Sequence, residues 1–475
     1  MIGIYLFIAF LISGMLFLNR NTILNNALLI AFLVLQIVFT VYEYNHLNII
    51  ELQYFRPDAL GILLLATLSV VAIPALYHSY VYITTHNEKP RSRGIYYAAM
   101  VMLITAIGAA YLSNHIAVTW IFVEITTLSA SALIYHHRNE RSLEGTWKYV
   151  FICAISVTFI FIGILFLSMA MRQAGSTDLT FDTLLSKAPV LNLFWLRLSF
   201  LFIFTGFTAK LGLVPMYTAG IDAKDKAPAP AGALFATVLM NMGFVGIFRI
   251  YVVIAHTPIH QWANTVIMIA AFLSVFVATV YMVKVKNIKR MLAYSGIEHM
   301  GLVMLGLAAG GIGYYAAILH IVLHAFVKSS LFFQFNQIYR IYQSKSIYDV
   351  GNYFKYNKTG AMVLLFGFIC ATAMPPSGLF ISEFMIFSSL FKAHQLVILI
   401  LVMVLLTMII WAFGKTIFKI LFTPVEDFDD SHVVKINPVQ SLSQFILLGL
   451  SIYLGLNPPA EFVALIHEAI KNLPQ

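Results

Sequence analysis

Charge is what this sequence has least of. Asp, Glu, Lys and Arg make up 10% of its 475 residues, against about a quarter in soluble domains. Hydrophobic residues make up 60%. A water-soluble fold cannot hide that share of apolar side chain and still cover itself with polar surface, so that class is excluded. Cysteine is nearly absent as well. Cys153 and Cys370 each sit in an apolar run, where they read as small core residues; a disulfide framework or a cysteine-built cluster is excluded. No Gly-rich dinucleotide fingerprint, phosphate-binding loop or haem-attachment motif occurs. The chain is therefore expected to carry no cofactor, no resident metal and no redox centre of its own. A nucleic-acid partner is not expected either.

What is present is a series of apolar stretches. About fourteen of them are of spanning length, about twenty residues each, and they predict an all-α polytopic membrane protein. The opening "MIGIYLFIAFLISGMLFLNR" has no basic leader and no clear cleavage site, so it reads as a first span and not as a signal peptide. Basic residues gather in alternate loops: Arg20, Lys89 to Arg93, Arg138 to Lys148, Lys224 and Lys226, Lys284 to Arg290, Lys345 to Lys358, and Lys419 with Lys435. The positive-inside rule makes that side cytoplasmic. With an even number of spans both termini then lie outside a cell (cytoplasmic or inner) membrane. The acidic patch "PVEDFDDSH" at 424–432 reads as a solvated cytoplasmic loop.

Two spans carry helix breakers. In "AKLGLVPMYTAGIDAKDKAPAPAGAL" Gly212, Pro215, Gly220, Pro228 and Pro230 interrupt or end helix, and in "CATAMPPSGLFISEFMIF" Pro375, Pro376 and Gly378 do the same. Breaks at membrane depth are tolerated where freed backbone groups face protein or a wet cavity. Broken helices at matching places in two halves point to a transporter of inverted repeats. The expected division is spans 1–3 in 1–93, a five-span repeat in 94–254, a second inverted one in 262–423, and a last span with its tail in 424–475. Helices 7 and 12 are the discontinuous ones.

The few ionisable residues within spans are the candidate site. Glu124 lies in "AVTWIFVEITTLSASALI" and Lys210 just before the first break. His320, His324 and Lys328 are spaced i, i+4, i+8 in "LHIVLHAFVKSSLFF", which stacks them on one helix face. Glu298 and His299 lie in "AYSGIEHMGLVML", and Glu383 follows the second break. An ionisable group at that depth costs about 3 kcal/mol or more and marks an ion path or proton relay. Histidine titrates near neutrality. Desolvation lowers the basicity of any lysine and a nearby carboxylate restores it, so a Glu124–Lys210 pair would suit proton transfer. His320 and His324 have a spacing compatible with metal, but no carboxylate adjoins them in sequence and Lys328 follows one turn on, so no metal site is expected.

"GFTAKLGLVPMYTAGIDAKDKAPAPAGAL", "IKRMLAYSGIEHMGLVMLGLA", "LHIVLHAFVKSSLFF" and "PPSGLFISEFMIF" resemble the antiporter-like membrane subunits of respiratory complex I, Mrp antiporters and membrane-bound nickel–iron hydrogenases. The similarity is strongest over about 94–390. It implies that Glu124, Lys210, His320, His324, Lys328 and Glu383 form a hydrophilic axis that moves protons, or sodium in their place. Many complex I members carry an eighth-span lysine or histidine; here "ATVLMNMGFVGIFR" has Asn241. "SGIEHMG" puts Glu298 and His299 where quinone-reductase members have neutral residues. Both departures resemble hydrogenase-4 component F, and Glu298 or His299 would then substitute in the relay. The implied activity is proton translocation coupled to electron transfer in partner subunits. The implied partners are other membrane subunits, a peripheral redox arm reached through them, and the lipid bilayer. A cation/proton antiporter or an inorganic-carbon uptake system is the alternative. The chain ends shortly after its last apolar stretch, so the long lateral helix of a distal complex I subunit is not expected.

Overall fold

The structure is a computed structural model that describes residues 1–425, 428–429 and 433–474. Glu426, Asp427 and Asp430 of the acidic patch lie outside the described residues. Helices dominate: α1 (Ile2–Leu18), α2 (Thr22–Asn45), α3 (Ala59–Thr85), α4 (Pro90–Leu112), α5 (Ile116–Ile134), α6 (Glu140–Gln173), α7 (Phe181–Lys187), α8 (Leu193–Leu211), α9 (Thr218–Lys226) and α10 (Ala229–Ala236). They are followed by α11 (Val238–Ala255), α12 (His260–Lys284), α13 (Ile288–Ala309), α14 (Ile312–Tyr342), α15 (Tyr353–Tyr356), α16 (Lys358–Ala371), α17 (Gly378–Lys392), α18 (Leu396–Phe422), α19 (Leu442–Leu456) and α20 (Ala460–Ile470). The local sequence explains where they start. Asn21, Asp58, Asn139, Asn192, Asn287 and Ser377 stand at N-caps, and each side chain accepts a bond from a first-turn N–H, filling a donor the helix cannot satisfy itself.

Among the described residues, twelve helical segments are long and apolar enough to cross a membrane. Two further apolar helices, α1 and α16, are shorter than these, and α17 follows α16 beyond a break. Burial sorts the spans into rings. The apolar windows of α13 and α14 are 100% buried, whereas that of α18 is 22% buried, so α13 and α14 form the centre and α18 the rim. Lipid is as apolar as leucine, so small residues that let backbones approach drive much of the packing. Gly163 on α6 and Gly206 on α8 do this. A methyl added to Gly206 would lie 2.5 Å from Ile160 Cγ1 and 2.6 Å from the Ser156 carbonyl oxygen.

The expected breaks are present. α8 stops at Gly212, whose φ of +86° favours glycine, and α9 begins after Pro215. The freed backbone is satisfied inside the protein: Gly212 N–H donates to the Thr208 carbonyl at 2.8 Å and Val214 N–H to Ser274 Oγ at 2.9 Å. The second break separates α16 from α17 around Pro375 and Pro376, and the Ser377 hydroxyl accepts from Leu379 N–H at 3.1 Å. Pro228 ends one helix and caps the next, but Gly220 lies within α9 and Pro230 in the first turn of α10. A third interruption is new. Thr237, at φ −132° and ψ −93°, parts α10 from α11 in a stretch that reads as one span.

At one end of the bundle Arg249 of α11 ties distant segments together. Its guanidinium reaches both Asp58 carboxylate oxygens at 3.1 Å and donates to the Tyr111 carbonyl at 2.6 Å and to the Ser113 carbonyl.

Candidate functional site

The central helices bring Glu298, His299, His320, His324, Lys328 and Glu383 into one buried cluster. The two histidines and the lysine of α14 share a face and are fully buried. His299 of α13 is its hub. His299 Nδ1 faces His320 Nε2 at 3.1 Å, and its ring lies 5.0 Å from that of His324. Glu298 Oε2 is 3.7 Å from His299 Nε2, and Glu383 Oε1 is 3.8 Å from His299 Nδ1. His320 Nδ1 meets Ser382 Oγ at 2.9 Å. Lys328 donates to Ser295 Oγ and attracts Glu298 electrostatically. An imidazole takes a proton on one nitrogen and releases one from the other, so Ser382, His320 and His299 form a continuous hydrogen-bonded chain.

This cluster opens sideways. A cavity of about 210 Å³ between α13, α17, α18 and the second break has Glu298 and Glu383 in its wall, with Thr372, Phe384 and Met403. His299, His320 and Glu383 also place three possible donor atoms within 4.8 Å of one another. Sequence spacing offered only His320 and His324 as ligands and put no carboxylate beside them. The fold instead supplies Glu383 and His299, next to the ammonium of Lys328, whose positive charge works against a second cation.

Lys210 forms a separate centre. Its Nζ donates to Thr127 Oγ1 at 2.8 Å and to the Tyr149 hydroxyl at 3.2 Å, and it sits 5.3 Å from the Tyr149 ring centre. Neutral partners hold the charge. Among the described residues, no carboxylate oxygen lies within 4.0 Å of Lys210, so Glu124 is not in direct ion-pair contact. Glu124 stands one turn before Thr127 on α5 and is half-buried, with Oε2 unpartnered. Both Glu124 and Lys210 act electrostatically on Cys153.

Sequence reasoning missed Lys224. It reads as a cytoplasmic loop charge, because "GIDAKDKAPAP" is polar and proline-rich. The structure buries it to 2% exposure, with Met240 Sδ 3.1 Å from its Nζ. Lys289 is also 2% exposed and not a loop surface charge. Its Nζ donates to the Ala227 carbonyl at 2.5 Å, and Lys345 donates to the Asp225 carbonyl at 2.6 Å. Lysines commonly cap the last carbonyls of a helix in this way. The signal for Lys224 was faint: the i, i+4 offset from Gly220, which leaves room beside the ammonium.

The family described as NADH:quinone oxidoreductase/Mrp antiporter, TM, matches residues 113–409. The chain belongs to this family. A hydrogenase-4 component F homolog of Methylacidiphilum infernorum is 27% identical over 405 residues, 83% of this chain and 84% of that protein. A chain in the structure of the membrane-bound sulfane sulfur reductase, an archaeal respiratory membrane complex, superposes with a TM-score of 0.87 at 20% identity, over 99% of this chain and 96% of the other. A chain of the Mrp complex from Dietzia sp. DQ12-45-1b gives 0.86 at 15% identity, over 99% and 96%. The family region runs from the start of α5 into α18 and so includes both breaks and every ionisable residue of the candidate site.

Proposed function

We propose that this chain is a proton-translocating membrane subunit of a hydrogenase-4-like or complex I-like oxidoreductase complex. The observation that carries the reading is the buried polar line itself: Lys210 held by neutral hydroxyls on one side, and the Ser382–His320–His299 chain with Glu298, Glu383 and Lys328 on the other. Buried ionisable groups are costly in a membrane and are kept where ions or protons pass. Glu124, Lys210, His320, His324, Lys328, Glu383, Glu298 and His299 are the carriers in this reading. The breaks at Pro215 and at Pro375–Pro376 fall at matching places in the blocks 94–254 and 262–423, which supports two inverted repeats. The component F homolog supports an assembly with other membrane subunits and, through them, a redox arm that supplies the driving reaction. The basic loops support a cell-membrane location with both termini outside.

The test is proton uptake by the intact complex in sealed vesicles, with redox substrate added. Lys210→Met should assemble normally and lose uptake by about tenfold or more, a barrier of about 1.4 kcal/mol or above. Normal uptake in that variant would sink the reading. Uptake that needs sodium on the opposite side would favour cation/proton antiport instead.

A further inference from the structure

Lys210 and the histidine cluster lie on different helices with a gap between them, and α11, which packs against the Lys210 helix α8, has Asn241 with both side-chain polar atoms buried and unpartnered. No titratable side chain on α11 fills that gap. The neighbouring Met240 does touch one. Its Sδ is 3.1 Å from Lys224 Nζ. Met240 also packs against the end of α8: a methyl on Gly212 would lie 3.0 Å from Met240 Cε. Gly243, one turn on, lets α11 approach closely, since a methyl there would lie 2.4 Å from the Leu211 nitrogen and 2.9 Å from the Lys210 carbonyl carbon. One turn of α11 therefore has the Lys210 turn on one side and the Lys224 ammonium on the other.

The surroundings of Lys224 leave its ammonium without an acidic partner. Asp225 beside it is taken by Lys226 at 2.9 Å, Asn287 at 3.0 Å and Lys345 at 3.5 Å. Asp222 is taken by Arg290 at 2.5 Å. Among the described residues, no carboxylate oxygen lies within 4.0 Å of Lys224 Nζ. On the cluster side Lys224 reaches α13: a methyl on Gly296, the residue after the Ser295 that accepts from Lys328, would lie 3.9 Å from Lys224 Nζ. His324 in turn has both ring nitrogens buried and unpartnered. A structural lysine would be expected to spend its three donors on oxygen acceptors; this one has a thioether, a weak acceptor.

We infer that Lys224 is a proton carrier that joins the Lys210 centre to the His324–His299–His320 cluster. The proposal deepens the proton-translocation reading and rests on it. In the step, an N–H bond of the Lys210 ammonium breaks and its proton adds to the lone pair of neutral Lys224 Nζ, which leaves Lys210 neutral. An N–H bond of the resulting ammonium then breaks as the proton passes to a free nitrogen of His324. No other bond changes and no electrons move.

Arginine is the discriminating substitution, because it keeps the positive charge and similar reach but does not release its proton near neutral pH. The intact complex is reconstituted in sealed vesicles as wild type and as Lys224→Arg, Lys224→His, Lys224→Met and Lys210→Met. Proton uptake, blue-native mobility and thermal stability are measured for each. Lys224→Arg should assemble and melt like wild type yet take up protons at least about tenfold more slowly. Lys224→Met should fail likewise, and Lys224→His, which can titrate, should recover part of the uptake. Wild-type uptake in Lys224→Arg or Lys224→Met overturns the proposal. So does failure of all three Lys224 variants to assemble, which would make the residue a structural cation. If wild type itself moves no protons, the functional reading fails. If wild type and Lys224→Arg both move protons while Lys210→Met does not, only the role of Lys224 fails.

Discussion

His299 on α13 and His320 on α14 share a hydrogen bond of 3.1 Å, and the second nitrogen of His320 is fixed by Ser382 at 2.9 Å. Each member of that chain comes from a different helix. Replacing His320 and His324 together by leucine keeps side-chain volume roughly constant, a change cores tolerate, but removes two proton acceptors. Assembly should be normal on blue-native gels, and vesicle uptake should fall by about tenfold or more. Normal uptake in the double variant would show that the chain carries nothing.

Thr127 supplies the shorter of the two hydrogen bonds on Lys210. Thr127→Val is nearly isosteric and leaves Tyr149 as the remaining acceptor. A bond to a charged group contributes about 1.5–3 kcal/mol, so the melting temperature of the purified protein in detergent should drop by several degrees. Lys210→Met removes the charge along with its need for a partner. Adding Thr127→Val to Lys210→Met should therefore cost much less than Thr127→Val alone, and equal losses in both backgrounds would refute the coupling.

Gly206 sets the distance between α6 and α8. Gly206→Ala would press a methyl into the Ser156 carbonyl oxygen at 2.6 Å, a backbone atom that cannot rotate away. The variant should be destabilised by about 1–3 kcal/mol, as expected for overpacking, and its proton uptake should fall as Lys210 shifts with α8. Unchanged melting would mean that the helices slide apart at no cost.

Glu88 lies in the loop between α3 and α4, and its hydrogen bond to His136 holds its carboxyl below the ordinary carboxylate range. A depressed folded-state value adds stability that is present above the unfolded value, about 4.3, and is lost as pH falls toward the folded value. Melting curves of wild type should therefore fall off on acidification below about pH 4.3 more steeply than those of Glu88→Gln. Parallel curves for the two proteins would contradict this.

Helix runs and the first two breaks were legible because glycine and proline announce themselves. The Thr237 interruption was not, since "LFATVLMN" contains neither. The α14 face was legible from spacing alone, because His320, His324 and Lys328 are neighbours on one helix. Their meeting with His299 and Glu383 was not, because helix packing decides it. Lys210 and Glu124 were expected as a pair, but the geometry gives the lysine to Thr127 and Tyr149. Lys224 was hidden for a different reason. Its sequence surroundings are those of a loop, and its burial arises from the packing of α9 against α13 and the lysine clasp at its carboxyl end.

That clasp has a mechanical meaning. Lys289 and Lys345 grip the last carbonyls of α9, while Arg290 and Asn287 grip its two aspartates. The end of the helix that carries Lys224 is thus bolted to α13 and to the segment after α14, and only its other end leads into the Gly–Pro linker. A piston stroke of α9 would have to break all of these at once. What the clasp does not hold is the side chain itself, a compact charge on a flexible four-carbon stem. Charge displacement at this point can proceed by rotation of single bonds, with the scaffold standing still.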